Sequence, residues 1–569
     1  MTSAPRRGVF LFSCAALACG AILVAAVIWA SDRGFDITDE AYYILSAKHP
    51  DKVQLYISAQ HWILAPLWSL VQSLQGFRLI GMGILVLSAS VLGLGALRVA
   101  DELGLTLSTP LTRAAICAAG AVGALLYVST IAPSPSYNLL AAAGAYAGVG
   151  FALLCVPKSP GTGRVLLLAS LAGAALAVGF LNKPSAGVCA GVLASLLLLT
   201  LATGGRKWLL LVMIGFGGVA TLAVFYLVQP AEPPVLDSLR DGFALFRIVQ
   251  SEPIVTRLLR YAATMGTSMG ESIMGFAPAL AFVLLFLVVP RWWSAVLIPL
   301  ALVVSIVDNK HYLGGRSSYH DQMEALFIIM LVLCILGTRH WTRATRPALL
   351  CLGLLALPYC VAIGTGNALF TQVIVSLGGW SVLAVLIATS TPPGAPHAFA
   401  RQSTAAILLG LITVQVLSSY TRDPYHLAAP LTGQTEPTPV AGLGTLRLDP
   451  KTTQMLAELS AARDTCEIAA GTDYLGLYNV PGLALLLEAT PPLSPWLNNI
   501  AQLHALLPRL QAQPKNRLVI ALTPEAQGVD GALPDQYRPL RDTYQYCGDL
   551  FEPYVQETIE IWATKPAPS

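Results

Sequence analysis

Residues 9–43 read VFLFSCAALACGAILVAAVIWASDRGFDITDEAYY. The first 22 of these carry no charge. At 1.5 Å per residue they reach about 33 Å as a helix, enough to cross a bilayer core. Arg6 and Arg7 precede them, and no good cleavage site comes before Asp32. The run therefore reads as an uncleaved first span with a cytoplasmic N-terminus rather than as a signal peptide. Directly behind it, Asp36, Asp39 and Glu40 put three carboxylates within five residues.

Such crowding is unusual in this chain. Asp and Glu number 31 in 569 residues, charged residues are 11% and hydrophobic residues 55%. Mean hydropathy is +0.65. A soluble domain carries about 25% charged residues, so the composition implies a polytopic membrane protein. The chain has no basic arm or Lys/Arg run, and no nucleic-acid partner is expected. The ten cysteines include no C-x-x-C pair, which leaves no zinc or redox motif. Cys466 and Cys547 stand apart in the hydrophilic C-terminal part. They could pair if that part lies in an oxidising compartment.

Residues 32–75 mix charge with Tyr42, Tyr43, Tyr56, His61, Trp62 and Trp68, a pattern of helices lying at the interface. Apolar runs follow at about 77–97, 112–131, 137–156, 165–181, 185–203, 208–228, 268–289, 293–307, 322–337, 347–363, 370–390 and 403–419. With the first run they give about 13 spans. The loops on the N-terminal side hold Arg98, Arg113, Lys158, Arg164, Arg206, Lys207, Arg291, Arg339, Arg343, Arg346 and Arg401. The opposite turns near 132–136 and 364–369 hold no Lys or Arg. By the positive-inside rule the acidic cluster and the C-terminus then face outward. The other outer loops are 229–267 and 308–321. Residues 1–420 form the membrane domain. Residues 421–449, rich in Pro, Thr and Gly, read as a linker. The remainder to 569 reads as a small α/β domain, with a helix at 450–464 and strands at 467–470 and 517–522. It carries no nucleotide-binding loop.

The plain role for Asp36, Asp39 and Glu40 is helix capping, with Thr38 or Asp39 as the N-cap. Capping explains one or two of the acids but not three. Placement adds more. The motif Asp39-Glu40-Ala41-Tyr42-Tyr43 in the first outer loop, followed by Gln60-His61-Trp62-Ile63-Leu64-Ala65-Pro66-Leu67, resembles the GT-C glycosyltransferases. It is most similar to their protein O-mannosyltransferase and lipid A aminoarabinose transferase branch. The resemblance covers the architecture of residues 1–420 and is residue-specific over the first hundred.

That resemblance implies an α-helical GT-C-like membrane enzyme. It would move a sugar from a polyprenyl-phosphate donor to an acceptor hydroxyl on the outer face, with inversion. The acceptor is open among lipid, glycan, protein and cell-wall polymer. Asp39 is the expected base, with Glu40 beside it in a catalytic role. Asp36, Tyr43, His61, Lys183, Lys310, His311, Arg316 and His320 are the expected substrate-binding residues, the cations serving the lipid phosphate. Metal dependence stays open: Asp36, Asp39 and Glu40 would suit Mg²⁺, Mn²⁺ or Ca²⁺. The expected location is a bacterial inner membrane with a periplasmic active site.

The competing reading is a transporter or flippase of a polyprenyl-linked or other amphipathic substrate. It predicts ionisable groups near mid-membrane. Here they gather in outer loops, with Glu271 as the exception inside a span.

Overall fold

A computed structural model describes residues 4–53, 56–106, 109–157, 161–229, 235–249, 252–314, 316–341, 345–390, 394–492, 494–511, 517–527 and 544–565. Among them, ten helices are long and apolar enough to cross a membrane, from Arg7–Ala30 to Ala395–Arg422. Two more segments qualify only as bent pairs. Ile254–Gly275 meets Ala277–Val288 at 73°, and Leu369–Ser376 meets Gly378–Thr389 at 70°. Trp292–Asp308 is a shorter apolar helix. Each of the apolar runs read from the sequence falls on one of these segments.

Helix Leu74–Glu102 packs on Tyr137–Leu154, and that helix packs on Thr162–Asn182. Small residues allow these close approaches, as expected where lipid supplies no hydrophobic drive between helices. The segment between the first two spans folds into two short helices, Asp39–Lys48 and Gln60–Val71. The first buries Ala41, Ile44, Leu45 and Ala47 and so has a core face.

The stretch 421–449, expected as a linker, is largely ordered. It holds a hairpin of β1 (Glu436–Val440) and β2 (Gly444–Leu448). This hairpin is tied to both ends of the acidic segment. Arg447 N–H donates to the Asp32 carbonyl at 2.7 Å, Gly34 N–H to Arg447 at 2.9 Å, and Leu74 N–H to Leu443 at 3.0 Å. Gly34 has φ +66°, a turn that glycine makes at no steric cost.

The C-terminal part contains helix Pro450–Thr465 and a four-stranded sheet of β3 (Asp473–Leu477), β4 (Leu518–Leu522), β5 (Tyr544–Glu552) and β6 (Glu557–Thr564). The strand order is β3-β4-β6-β5, parallel between β3 and β4 and antiparallel elsewhere. The first strand of the sheet lies at 473–477 rather than the expected 467–470, because Glu467 adopts φ +49° and turns the chain out of helix Pro450–Thr465. Cys466, at the end of that helix, is bonded to Cys547 in β5, with Cα atoms 5.4 Å apart. The C-terminal part rests directly on the acidic segment. Gly482 N–H donates to the Ile37 carbonyl at 2.8 Å. A Cβ on Gly482 would meet the Ile37 backbone at 2.6 Å, so the two chains touch there only because position 482 is glycine.

Candidate active site

The three acids have three different jobs. Asp36 is almost fully buried, with 2% exposure, and caps helix Asp39–Lys48. Its carboxylate accepts from Thr38 N–H at 2.8 Å, from the Thr38 hydroxyl at 2.6 Å and from Glu40 N–H at 3.1 Å. Capping was expected from Thr38 or Asp39; Thr38 is at the N-cap position, but its hydroxyl makes no capping bond.

Glu40 departs from the expected catalytic role. It is fully buried and held by Arg78, whose Nε and Nη2 donate to it at 2.8 and 2.5 Å. Ser134 donates to the same carboxylate at 2.6 Å. Arg78 also donates to the carbonyls of Ser31, Arg33 and Gly34. A carboxylate with its lone pairs occupied this way is a structural anchor. Of the expected metal set Asp36, Asp39 and Glu40, the group close enough to share an ion is instead Asp36 and Asp39 with His426.

Asp39 remains. It is half-buried, and the Tyr425 hydroxyl donates to its Oδ2. Burial first, then the charge of Asp36, push its pKa up to about 6, against the opposing effects of the Tyr425 bond, His426 and Arg316. A carboxyl tuned toward neutrality suits a general base.

Around it stands a cationic and aromatic wall. The ring of Tyr425 stacks on His426 with centroids 3.9 Å apart, and the Arg316 guanidinium lies 4.5 Å over Tyr425. Arg316 Nη2 donates to His426 Nε2 at 3.1 Å, and Nη1 donates to the Tyr554 hydroxyl at 2.8 Å. Because a guanidinium only donates, Nε2 accepts, and Nδ1 carries the ring proton toward the Thr38 hydroxyl at 2.7 Å. That hydroxyl in turn donates to Asp36. The relay Arg316–His426–Thr38–Asp36 therefore has one consistent direction.

Ligand atoms of Asp36, Asp39 and His426 lie within 4.8 Å of one another, a spacing compatible with a divalent ion. The hydrogen bonds do not fit one. Both imidazole nitrogens and both Asp36 oxygens are engaged, and Arg316 already supplies the positive charge.

The other expected residues are distributed as follows. Arg316 joins Asp39; its loop is pinned to the end of the last span by Arg316 N–H to the Asp423 carbonyl at 3.3 Å and Ser317 N–H to the Asp423 carboxylate at 2.7 Å. Tyr43 is buried behind Asp39 against Tyr42 and Tyr137. His61 is fully buried between Tyr56 and Trp62, with centroids at 4.3 and 5.4 Å. Burial pushes its imidazole down to about 3, so it is uncharged at neutral pH. Lys183 was expected to meet a phosphate. Its ammonium instead donates to the carbonyls of Val361 and Ala362 at 2.9 and 3.4 Å, closing the end of helix Thr345–Ala362. His311 is exposed and 4.0 Å from Asp321. His320 meets Glu324 at 3.4 Å and Ser268 at 3.5 Å rather than the Asp39 group. The Lys310 side chain and Gly315 lie outside the described residues.

Sequence reasoning missed Arg78, Tyr425, His426 and Tyr554. A usable signal existed for two of them: Tyr425-His426 follows the last span within four residues, at the same face as Asp39. Tyr554 gave none. It arrives on the β5–β6 turn, which Glu552 shapes by accepting from Tyr554 and Val555 N–H at 3.1 and 2.5 Å.

No protein-family model and no curated protein matches the chain. Two solved structures do. The chain is similar to apo ArnT from Cupriavidus metallidurans, at 14% identity and a TM-score of 0.38, covering 96% of this chain and 98% of that one. It is similar also to ArnT from the same organism bound to undecaprenyl phosphate, at 13% identity and a TM-score of 0.37, covering 96% and 99%. Identity and TM-score at this level carry neither substrate nor residue roles across.

Proposed function

We propose that this chain is a membrane glycosyltransferase of the GT-C type that takes a sugar from a polyprenyl-phosphate donor at the outer face. The single observation that carries the reading is a half-buried carboxyl with its pKa raised to about 6, set beside a guanidinium at the outer end of the first span. Asp39 accepts the proton of the acceptor hydroxyl as that oxygen bonds to the anomeric carbon. The bond from that carbon to the phosphate oxygen breaks, and its electron pair leaves with the lipid phosphate. Arg316 offsets the charge that develops there. Its described bonds use two of its five N–H groups, leaving others for a phosphate. Attack opposite the leaving group inverts the anomeric centre in a single displacement.

The Cys466–Cys547 bond supports an oxidising, extracytoplasmic setting for the C-terminal part. The transporter reading gains no such support: Asp39 and Arg316 sit at span ends rather than midway along them.

The test is product analysis. Purified protein is incubated with polyprenyl-phosphate sugars of known anomeric configuration and with lipid and glycan acceptors. The reading requires a new glycosidic bond of opposite configuration. Retained configuration would remove the single-displacement mechanism. Uptake into sealed vesicles without any new bond would establish the transporter.

A further inference from the structure

A second ionisable cluster lies apart from Asp39 and takes no part in that chemistry. Glu271 is on the first limb of the bent pair, five residues before the break at Phe276. His320 and Glu324 are one turn apart on the facing helix Tyr319–Trp341. One ligand atom from each lies within 4.8 Å of the other two.

The surroundings are built for polar contact. Ser268, three residues before Glu271, and Ser272, one turn beyond Ser268, are buried, at 4% and 0% exposure. Nε2 of His320 faces both the Ser268 hydroxyl, at 3.5 Å, and Glu324 Oε1, at 3.4 Å. The Glu324 side chain is 9% exposed. A buried carboxylate in a membrane helix is costly without a cation, and a second carboxylate beside it raises that cost. Among the described residues, no Lys or Arg pairs with Glu271 or Glu324. This is the opposite of the Asp36–Asp39–His426 group, where Arg316 already provides the charge.

We propose that Glu271, His320 and Glu324 form a divalent transition-metal site, with Zn²⁺ the ion it best fits, fastening the bent helix pair to the neighbouring span. One imidazole with two carboxylates is a mixed nitrogen and oxygen set. The imidazole favours zinc over magnesium or calcium. A tetrahedral ion with bonds of roughly 2.0–2.1 Å spaces its ligand atoms by about 3.3 Å. The distance from His320 Nε2 to Glu324 Oε1 is already 3.4 Å. Glu271 is exposed, so its side chain has room to close the third edge. A fourth position is left for water or the Ser268 hydroxyl. His320 lies four residues beyond Arg316, so the ion would steady the base of the loop that delivers Arg316 to Asp39.

The test uses the full-length protein in detergent, stripped with EDTA and titrated with Zn²⁺ against a fluorescent zinc chelator. Bound metal is counted by elemental analysis. The expected result is one equivalent that millimolar Mg²⁺ and Ca²⁺ do not displace. It should weaken at least tenfold in Glu324→Gln, His320→Gln and Glu271→Gln and persist in Asp39→Asn and His426→Ala. The Glu271→Gln change is at an exposed side chain, so it reports on binding where a buried variant fails to fold. Absence of any zinc equivalent would overturn the proposal. It fails equally if the equivalent survives in Glu271→Gln and His320→Gln, or disappears in His426→Ala.

Discussion

Asp36, Asp39 and Glu40 look interchangeable in sequence, and their neighbours separate them. Glu40 meets Arg78 and is spent on structure; Asp36 meets two backbone N–H groups and is spent on a cap; Asp39 keeps a half-open carboxyl. A base must be ionised to act, so turnover should rise with pH through about 6 and level off above it. Arg316 is among the groups that hold the Asp39 pKa down from a still higher value. Removing it in Arg316→Gln should shift the acidic limb of the kcat/KM profile to higher pH and lower the plateau. The measurement is kcat/KM between pH 5 and 9. An unmoved limb would take Arg316 out of the electrostatics of Asp39.

At the scale of elements, the decisive one is the turn between the first span and helix Asp39–Lys48. Its carbonyls at Ser31, Arg33 and Gly34 converge on Arg78 of the second long helix, and so does Glu40. Breaking a buried ion pair on one side costs about 3–5 kcal/mol, because the other charge stays buried. Arg78→Met should therefore destabilise the protein by that order, read as a fall in thermal midpoint. The double variant Arg78→Met with Glu40→Met should recover a large part of it. The spans and the two short helices after the first were legible in the sequence, because uninterrupted apolar runs and amphipathic mixtures have few other solutions. The partner of Glu40 was not. An arginine 38 positions away on an apolar helix shows no local pattern until the two helices are placed together. Lys183 misled for a related reason: a cation at a helix boundary reads as an anion site, while the carbonyls it closes belong to a helix nearly 180 residues further on.

At the scale of the whole molecule, the candidate site is shared between the membrane part and the C-terminal part. Tyr425 and His426 come from the stretch read as a linker, and Tyr554 comes from the turn between β5 and β6. Composition announced a change of domain at that stretch but not that its first residues complete the site. The Cys466–Cys547 bond closes 81 residues and ties β5 to helix Pro450–Thr465. Chain entropy puts such a closure on the order of 4 kcal/mol. Cys466→Ser with Cys547→Ser should lower the thermal midpoint and reduce kcat together, since β5 carries the turn that holds Tyr554 against Arg316. A variant with lowered stability and full kcat would show that the turn stays in place without the bond.

The central claim is that the Asp39 carboxylate removes the acceptor proton. It is tested most directly by the steady-state turnover of Asp39→Asn, purified as a folded and monodisperse protein and assayed at pH 8 with a polyprenyl-phosphate sugar that the parent protein uses. The account predicts a loss of at least a hundredfold in kcat, with donor binding retained, as expected when a general base is removed. Turnover equal to that of the parent would contradict it.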